Sequence, residues 1–224
     1  MDWIHQYQLF LFDFDGLLVN TEEVHYMAYK QMCATRGIDL AWDFPKYCGI
    51  AHYTAEGIRD QMYAEYPELY AQESDWKVLY LEKKQNMVNF LNEGAVHTMP
   101  GVIELLTALD HAKIQRCVVT HSPDELVEIV RRKNPILNTI PHWVTRHQYT
   151  HPKPHPECYI RALQLFSKPS DRIVGFEDTP RGMKALLGTH RVEPFLICAI
   201  DYPEIPAFKA QGVKVLSSLK EVVG

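Results

Sequence analysis

A continuous apolar run that ends in two aspartates constrains the fold of this chain more than any other feature. Residues 8–14, QLFLFDF, show no alternation of apolar and polar positions, which is typical of a central strand of a parallel sheet. Asp13 and Asp15 stand two residues apart at its end, although aspartate is disfavoured in strands and costly to bury without a partner. As turn residues before Gly16 they would be ordinary, so position alone leaves a turn and a polar site equally open.

Composition and charge narrow the functional class. The chain has 224 residues, of which 46% are hydrophobic and 23% charged, and its formal net charge is −5. These values are typical of a globular protein with one core, or one core and a smaller second domain. The acidic balance does not favour nucleic acid or an anionic membrane, and no apolar run reaches the roughly 20 residues of a membrane span. We therefore predict a cytoplasmic protein, monomeric or weakly homodimeric, with no nucleic-acid or membrane partner.

From Pro100 onward, predicted strands and helices alternate. Strands are predicted at 114–120, 143–145, 172–177 and 195–200, and helices at 102–112, 124–133, 157–166 and 181–187. This rhythm is typical of a parallel sheet with helices on both faces, which the first strand joins. Earlier residues show only helical patterns, at 20–36, 54–66 and 76–91. The prediction is an α/β, Rossmann-like parallel sheet core (1–19 and 95–224) with an inserted all-helical cap domain (20–94).

Polar or charged residues follow several of the predicted strands. The first strand ends in Asp13 and Asp15, a later one in Glu177 and Asp178, and Lys153 follows a short strand. In open parallel sheets, ligands bind beyond the carboxyl ends of the strands. The convergence of such groups on one edge predicts a site in which a cation and a lysine offset the aspartates.

Four segments resemble, in order, the motifs of the haloacid dehalogenase superfamily: DFDGLLVNTE, VVTHS, KPHPE and GFEDTPRG. The helical insert after the first motif resembles the family's alpha-helical cap. The chain is most similar to the subfamily of β-phosphoglucomutase and phosphoglycolate phosphatase. The resemblance implies a Mg²⁺-dependent phosphoryl transfer on a small phosphorylated metabolite, through an aspartyl-phosphate.

The resemblance assigns roles to the acidic residues. Asp13 matches the nucleophile, and Asp15 matches the general acid that later activates water. Asp178 matches a magnesium ligand, together with Asp13 and the backbone carbonyl of Asp15, with Glu177 in or near the same shell. Oxygen ligands of this kind suit Mg²⁺, and phosphoryl transfer needs positioning and charge neutralisation above all.

Further residues match positions that hold the substrate. Thr120 and the amide of His121 match groups that bind a phosphoryl oxygen, and Lys153 matches the charge-neutralising lysine. Taken alone, a lysine such as Lys153 is more often an exposed loop residue, but the prolines at positions 152, 154 and 156 stiffen this loop and favour a place in the site. His25, in the first helix of the insert, is either a substrate contact or a packed helix histidine. His52 is a further candidate for substrate binding.

The residue at position 52 also separates the possible reactions. The mutase-like relatives tend to carry an arginine at this position and the phosphonate hydrolases a lysine, whereas this chain has His52. A phosphonatase needs that amine for a Schiff base, and a mutase loses a bidentate phosphate ligand. A phosphatase for a sugar phosphate or phosphoglycolate is therefore favoured, with a mutase as the alternative and a non-enzymatic binder as a remote one.

Two other patterns have less specific interpretations. His147, His151 and His155 recur every four residues, but the prolines between them exclude a helix, so no zinc site is predicted there. Lys83 and Lys84 lie on the last predicted helix of the insert, where a solvated helix face is favoured over contact with the substrate.

Overall fold

The computed structural model describes residues 1–53 and 56–223. The chain divides into two compact units, a core unit of residues 1–20 and 97–224 and a helical unit of residues 21–96. Among the described residues, every helix is too short or too polar to cross a lipid bilayer.

The core unit is built on a parallel sheet. Its described strands are β1 (Leu9–Phe12), β2 (Gln115–Val119), β3 (His142–Val144), β4 (Ile173–Glu177), β5 (Glu193–Ile197) and β6 (Lys214–Leu216). They lie side by side in the order β3-β2-β1-β4-β5-β6, and all the pairings are parallel. All four residues of β1 are fully buried, which explains why its sequence is continuously apolar. The predicted α/β parallel fold is confirmed.

Helices pack against this sheet. The core unit contains α6 (Val102–His111), α7 (Asp124–Lys133), α8 (Glu157–Phe166), α9 (Pro180–Leu187), α10 (Ile205–Ala210) and α11 (Lys220–Val223). Successive residues of β1 point to opposite faces. Leu9 and Leu11 belong to the hydrophobic cluster that includes Tyr159 of α8, whereas the rings of Phe10 and Phe12 stack on Phe176.

In the helical unit, every described segment with regular secondary structure is a helix. The helices are α1 (Thr21–Ala34), α2 (Phe44–Ala51), α3 (Gly57–Glu65), α4 (Pro67–Gln72) and α5 (Trp76–Glu93). Helices α1 and α5 pack against each other. Asp75 caps the start of α5, where its carboxylate accepts a hydrogen bond from the Lys77 amide at 2.9 Å, and Gly94 ends the helix with a φ of 91°.

The predicted element boundaries differ from the structure at several places. The helix predicted at 54–66 is α3, and the predicted start at residue 54 lies outside the described residues. The last of the predicted strands, at 195–200, corresponds to β5, which spans Glu193–Ile197. The prediction omitted the short elements α2, α4, α10, β6 and α11. Because segments of three to eight residues show little periodicity, the surrounding packing determines their structure more than the local pattern does.

Candidate active site

The carboxyl ends of β1 and β4 place acidic residues at the point where the strand order reverses. Asp13 directly follows β1, and its amide donates to the carbonyl of Phe176 at 3.0 Å, which extends the pairing of the two strands. Glu177 is the last residue of β4, and Asp178 follows it. After β1, the next strands β2 and β3 lie on one side of it, whereas β4 lies on the opposite side, so the strand order reverses at β1. This switch point is where ligands bind in open α/β sheets.

Lys153 lies at the centre of this site. Its ammonium is 2.5 Å from Asp13 Oδ1 and 2.7 Å from Glu177 Oε1, and it donates to the Val119 carbonyl at 2.9 Å. The residue is 8% exposed, so it is not a surface lysine. Burial lowers the pKa of Lys153, but the carboxylates of Asp13 and Glu177 more than offset this, and the pKa stays well above its usual value. The lysine is therefore charged at neutral pH.

Tyr159 belongs to the same cluster and was not predicted. Its hydroxyl donates to Glu177 Oε1 and accepts from Lys153 Nζ at 3.3 Å. The residue is fully buried on α8. The one signal in the sequence is that a tyrosine in a buried helix stripe needs a partner for its hydroxyl, which does not identify the partner.

The carboxylates at the switch point fit a divalent cation. Oxygen atoms of Asp13, Glu177 and Asp178 lie within 4.8 Å of one another. With Lys153 these groups have a formal charge of about −2 in a buried place, which is costly unless a cation offsets it. Glu177 Oε2 is buried and accepts no hydrogen bond from the residues that the structure describes. Burial raises the pKa of Glu177 above its usual value, against the opposing charge of Lys153. Oxygen ligands without nitrogen or sulfur favour a hard ion such as Mg²⁺.

Two hydroxyl groups orient Asp15. Thr120 Oγ1 donates to Asp15 Oδ2 at 3.1 Å, and Ser122 Oγ donates to the same oxygen at 2.8 Å. A tight turn follows Asp15, in which Gly16 has a φ of 83° and its amide donates to the Val19 carbonyl. A helix cap from Ser122 or Asp124 would also fit the sequence, but the residue before α7 is Pro123 and no side chain caps that end.

His121 is held in one tautomer by its neighbours. The hydroxyl of Tyr149 donates to the carbonyl of Thr120 at 3.0 Å, and His121 Nδ1 lies 3.1 Å from the same hydroxyl. Because the tyrosine has only one proton to donate, Nδ1 must carry the hydrogen. Desolvation, together with the charges of nearby cationic side chains such as Lys153, lowers the pKa of His121 to about 4. The ring is therefore neutral at neutral pH.

The two other predicted substrate-binding residues lie in the helical unit, in one polar cluster. His52 is 4% exposed at the end of α2, and its Nε2 lies 3.6 Å from Glu22 Oε2. His25, on α1, contacts the ammonium of Lys83 through Nδ1. Burial, and then the charge of Lys83, lowers the pKa of His25 to about 3. Burial opposes ionisation of Glu22, but the nearby side chain of His52 and the positive charge of Lys83 lower its pKa to about 2.

The environment of the two lysines on α5 corrects the sequence interpretation. Lys83 is 2% exposed, and its ammonium lies 4.9 Å from the centre of the Tyr29 ring. A solvated position for Lys83 is therefore wrong. Its neighbour Lys84 is exposed, as expected.

The family of the chain follows from a comparison with known proteins. Residues 10–187 match the model of a family described as haloacid dehalogenase-like hydrolase. The chain belongs to this family. The matched region includes all four motif segments, and the predicted superfamily is confirmed.

Individual relatives are similar over most of their length. Protein CbbY of Rhodobacter capsulatus is 29% identical over 179 residues, which cover 77% of this chain and 78% of the relative. A phosphorylated carbohydrates phosphatase of Thermotoga maritima is 28% identical over 178 residues, 78% of each protein. The crystal structure of CbbY from Rhodobacter sphaeroides, in complex with phosphate, has a TM-score of 0.75 at 23% identity and covers 96% of each chain. The last comparison shows a shared fold.

Proposed function

We propose that the chain is a Mg²⁺-dependent phosphatase that hydrolyses a small phosphorylated metabolite, of the sugar phosphate or phosphoglycolate type, through an aspartyl-phosphate. It is thus a phosphoric monoester hydrolase. The observation that carries the proposal is the buried cluster at the switch point, in which Lys153 bridges Asp13 and Glu177 and Asp178 lies beside them. Asp15 follows Asp13 by two residues and is bound by two hydroxyl groups. The relatives named as phosphatases of phosphorylated compounds support the same reaction class.

Asp13 is proposed as the nucleophile. Its Oδ1 is bound to Lys153, so the carboxylate has a fixed orientation and its other oxygen can attack phosphorus. The new bond joins this oxygen to phosphorus while the bond from phosphorus to the ester oxygen breaks. The ammonium of Lys153 offsets negative charge on the phosphoryl group during the displacement.

Asp15 is proposed as the general acid and base. Because Oδ2 accepts hydrogen bonds from Thr120 and Ser122, a proton on this carboxyl group resides on Oδ1. That proton passes to the leaving alkoxide. In the second half-reaction the carboxylate takes a proton from water, the water oxygen bonds to phosphorus, and the bond from phosphorus to Asp13 breaks to release phosphate. Thr120 is also proposed to bind a phosphoryl oxygen, together with the His121 amide. Because the hydroxyl has one proton, it would then turn from Asp15 Oδ2 to the phosphoryl oxygen, while Ser122 continues to donate to Asp15 Oδ2.

Asp13, Asp178 and the backbone carbonyl of Asp15 are proposed to hold Mg²⁺, with Glu177 in or near the same shell. The ion would supply positive charge against the phosphoryl oxygens. His25 and His52 are proposed to contact the substrate from the helical unit, which we propose acts as the cap. The cytoplasmic location of the protein and its oligomeric state, a monomer or weak homodimer, remain predictions.

The test is a panel of phosphorylated metabolites, assayed for phosphate release with Mg²⁺ and with excess EDTA. We expect release from one or a few monophosphates, loss of release in EDTA, and a rate at least about 10⁴-fold lower in Asp13→Asn. Wild-type turnover by the Asp13→Asn variant would refute the role of Asp13. A sugar monophosphate that isomerises in the presence of its bisphosphate, without free phosphate, would establish a mutase instead.

A further inference from the structure

Three side chains that flank Lys153 in sequence come together on the surface of the core unit. His151 and His155 are exposed and Glu157 is partly exposed. One potential ligand atom from each of the three lies within 4.8 Å of the other two. The prolines do exclude a helix here, as the sequence indicates, yet the loop itself brings the imidazoles to one carboxylate. A loop, and not a helix face, therefore brings together two histidines that are four residues apart.

Glu157 is fixed in place before any ligand arrives. Its Oε1 accepts a hydrogen bond from the Thr150 amide at 2.9 Å, and its Oε2 accepts one from the His151 amide at 2.7 Å. These two backbone hydrogen bonds, followed by the contact with the His151 ring, lower the pKa of Glu157 to about 2. The carboxylate is therefore ionised at neutral pH, and its two oxygens have fixed positions at the start of α8.

The imidazoles stand next to this carboxylate. His151 Nδ1 lies 2.6 Å from Glu157 Oε2, and the Glu157 amide donates to His155 Nδ1 at 3.2 Å. The centres of the two rings are 4.7 Å apart, with an angle of 38° between their planes. Ligand atoms at about 2.0–2.2 Å from a tetrahedral ion stand roughly 3.3–3.6 Å apart. The distance of 2.6 Å between His151 Nδ1 and Glu157 Oε2 is shorter than this value, and the three potential ligand atoms lie no more than 4.8 Å apart. The side chains therefore need to move by about 1 Å to bind an ion.

We propose that His151, His155 and Glu157 form a binding site for a zinc ion, separate from the carboxylate cluster at the switch point. Two imidazole nitrogens and one carboxylate oxygen are a ligand set that zinc accepts and that magnesium, which prefers oxygen alone, does not favour. The ion takes the position between His151 Nδ1 and Glu157 Oε2, any hydrogen on Nδ1 passes to Nε2 or to solvent, and water completes a tetrahedron. The two sites therefore differ in metal preference because they differ in donor atoms.

Zinc at this site acts on Lys153. The two histidines lie two residues before and two residues after Lys153, so a metal that joins them fixes the backbone on both sides of the lysine. The ammonium of Lys153 depends on short contacts with Asp13 and Glu177, which a small shift of that backbone changes. Zinc is therefore expected to lower kcat without competing with Mg²⁺. This last statement rests on the proposed phosphatase function, whereas the binding of zinc does not.

The binding test measures bound zinc after equilibrium dialysis at low-micromolar free zinc, in the presence of saturating Mg²⁺. The wild-type protein is compared with His151→Ala/His155→Ala and with the control His5→Ala/His147→Ala, which removes two histidines outside the cluster. We expect the wild type and the control to bind one equivalent more than the variant of the cluster. Equal stoichiometry in all three proteins would overturn the site. Co²⁺ in place of zinc is expected to give the intense visible absorption of a four-coordinate site, which the cluster variant should lack.

A kinetic arm separates the site from its effect on the reaction. In phosphate release at saturating Mg²⁺, zinc is expected to lower kcat several-fold in the wild type and in His5→Ala/His147→Ala, with no such loss in His151→Ala/His155→Ala. Zinc binding without a change in kcat would refute the effect of zinc on Lys153, but the zinc site itself would still stand. Absence of turnover in every protein would refute the phosphatase proposal, and the dialysis result would still decide the zinc site.

Discussion

Each of the two units contains a lysine buried among ionisable groups, and the two clusters differ in net charge. In the core unit, Lys153 faces Asp13 and Glu177 with Asp178 beside them, for a formal charge of about −2. In the helical unit, Lys83 contacts a histidine whose lowered pKa keeps it neutral, and Glu22 is the carboxylate of that cluster. The formal charges of Lys83 and Glu22 cancel.

This difference separates two kinds of polar site. A buried excess of negative charge is stable only with a cation, so the core cluster is suited to a metal and to charge transfer at phosphorus. A balanced cluster needs no ion and offers hydrogen-bonding groups of both kinds, which suits recognition of a polar substrate. The predictions below test this contrast, from the largest expected effect to the smallest.

Removal of each lysine should affect different kinetic constants. Lys153→Met is expected to lower kcat by about 10²-fold or more, because it removes the positive charge closest to Asp13. Lys83→Met is expected to raise KM about tenfold with a smaller change in kcat, because Lys83 contacts His25, for which we propose a substrate contact made equally in the bound and transition states. Steady-state phosphate release measures both, and the exposed Lys84→Met is the matched control. An equal loss of kcat in the two variants would contradict the contrast.

A methyl group should have opposite effects on the stability of the two units. A Cβ at Gly182 would lie 1.9 Å from Glu177 Oε2, so Gly182→Ala is expected to destabilise the fold by about 3 kcal/mol and to displace Glu177. At Gly49, on α2, an added Cβ meets nothing within 4 Å, and Gly49→Ala is expected to stabilise by about 0.5–1 kcal/mol. Urea unfolding measures both. Wild-type stability of Gly182→Ala would show that Glu177 is not confined as described.

Magnesium should stabilise the protein through the core cluster. At 100 times its dissociation constant, Mg²⁺ is expected to add about 2.7 kcal/mol to the free energy of unfolding. Asp178→Asn should lose this stabilisation, whereas Asp60→Asn, a change of an exposed carboxylate on α3, should retain it. Thermal unfolding with and without Mg²⁺ measures the effect. The same increase in Tm in Asp178→Asn would exclude Asp178 as a ligand.

Acid should destabilise the helical cluster through His25. Burial, and then the charge of Lys83, lowers the pKa of His25 to about 3 in the folded state, against about 6.5 in an unfolded chain, so between these values the unfolded chain binds a proton that the folded chain does not. Stability conferred by the neutral ring is therefore complete above pH 6.5 and falls as the pH decreases, by up to about 1.4 kcal/mol per pH unit. Chemical unfolding between pH 6.5 and 5.5, where Glu22 stays largely ionised in both the folded and the unfolded state, should show a shallower slope in His25→Gln. An unchanged slope would refute this.

The sequence was most informative where a strong pattern carried the structure. The unbroken apolar run before Asp13 predicted a central strand, and both neighbours of that strand confirm it. The family resemblance assigned Asp15, Lys153 and Glu177 to the site. In the structure, Ser122 donates a hydrogen bond to Asp15, and Lys153 forms an ion pair with Glu177. Their chemical roles stay proposals.

The features that sequence reasoning missed depend on three-dimensional packing. Tyr159 is an ordinary helix tyrosine until α8 brings it to Glu177. The sequence around Lys83 is typical of a solvated helix face, but its ammonium is enclosed by aromatic and imidazole rings. The pairing of His151 with His155 was dismissed because the spacing was judged only against a helix, whereas a proline-rich loop brings the two rings together by another path.

The order of the strands has a consequence for synthesis on the ribosome. Leu9 of β1 pairs with Gln115 on one side and with Ile173 on the other, so the strand that precedes Asp13 lacks its second neighbour until most of the polypeptide has emerged. The helical unit is one uninterrupted segment and is complete much earlier. A nascent chain can therefore finish its insert while an apolar segment waits unpaired, and shielding of that segment by a chaperone would matter most during this interval.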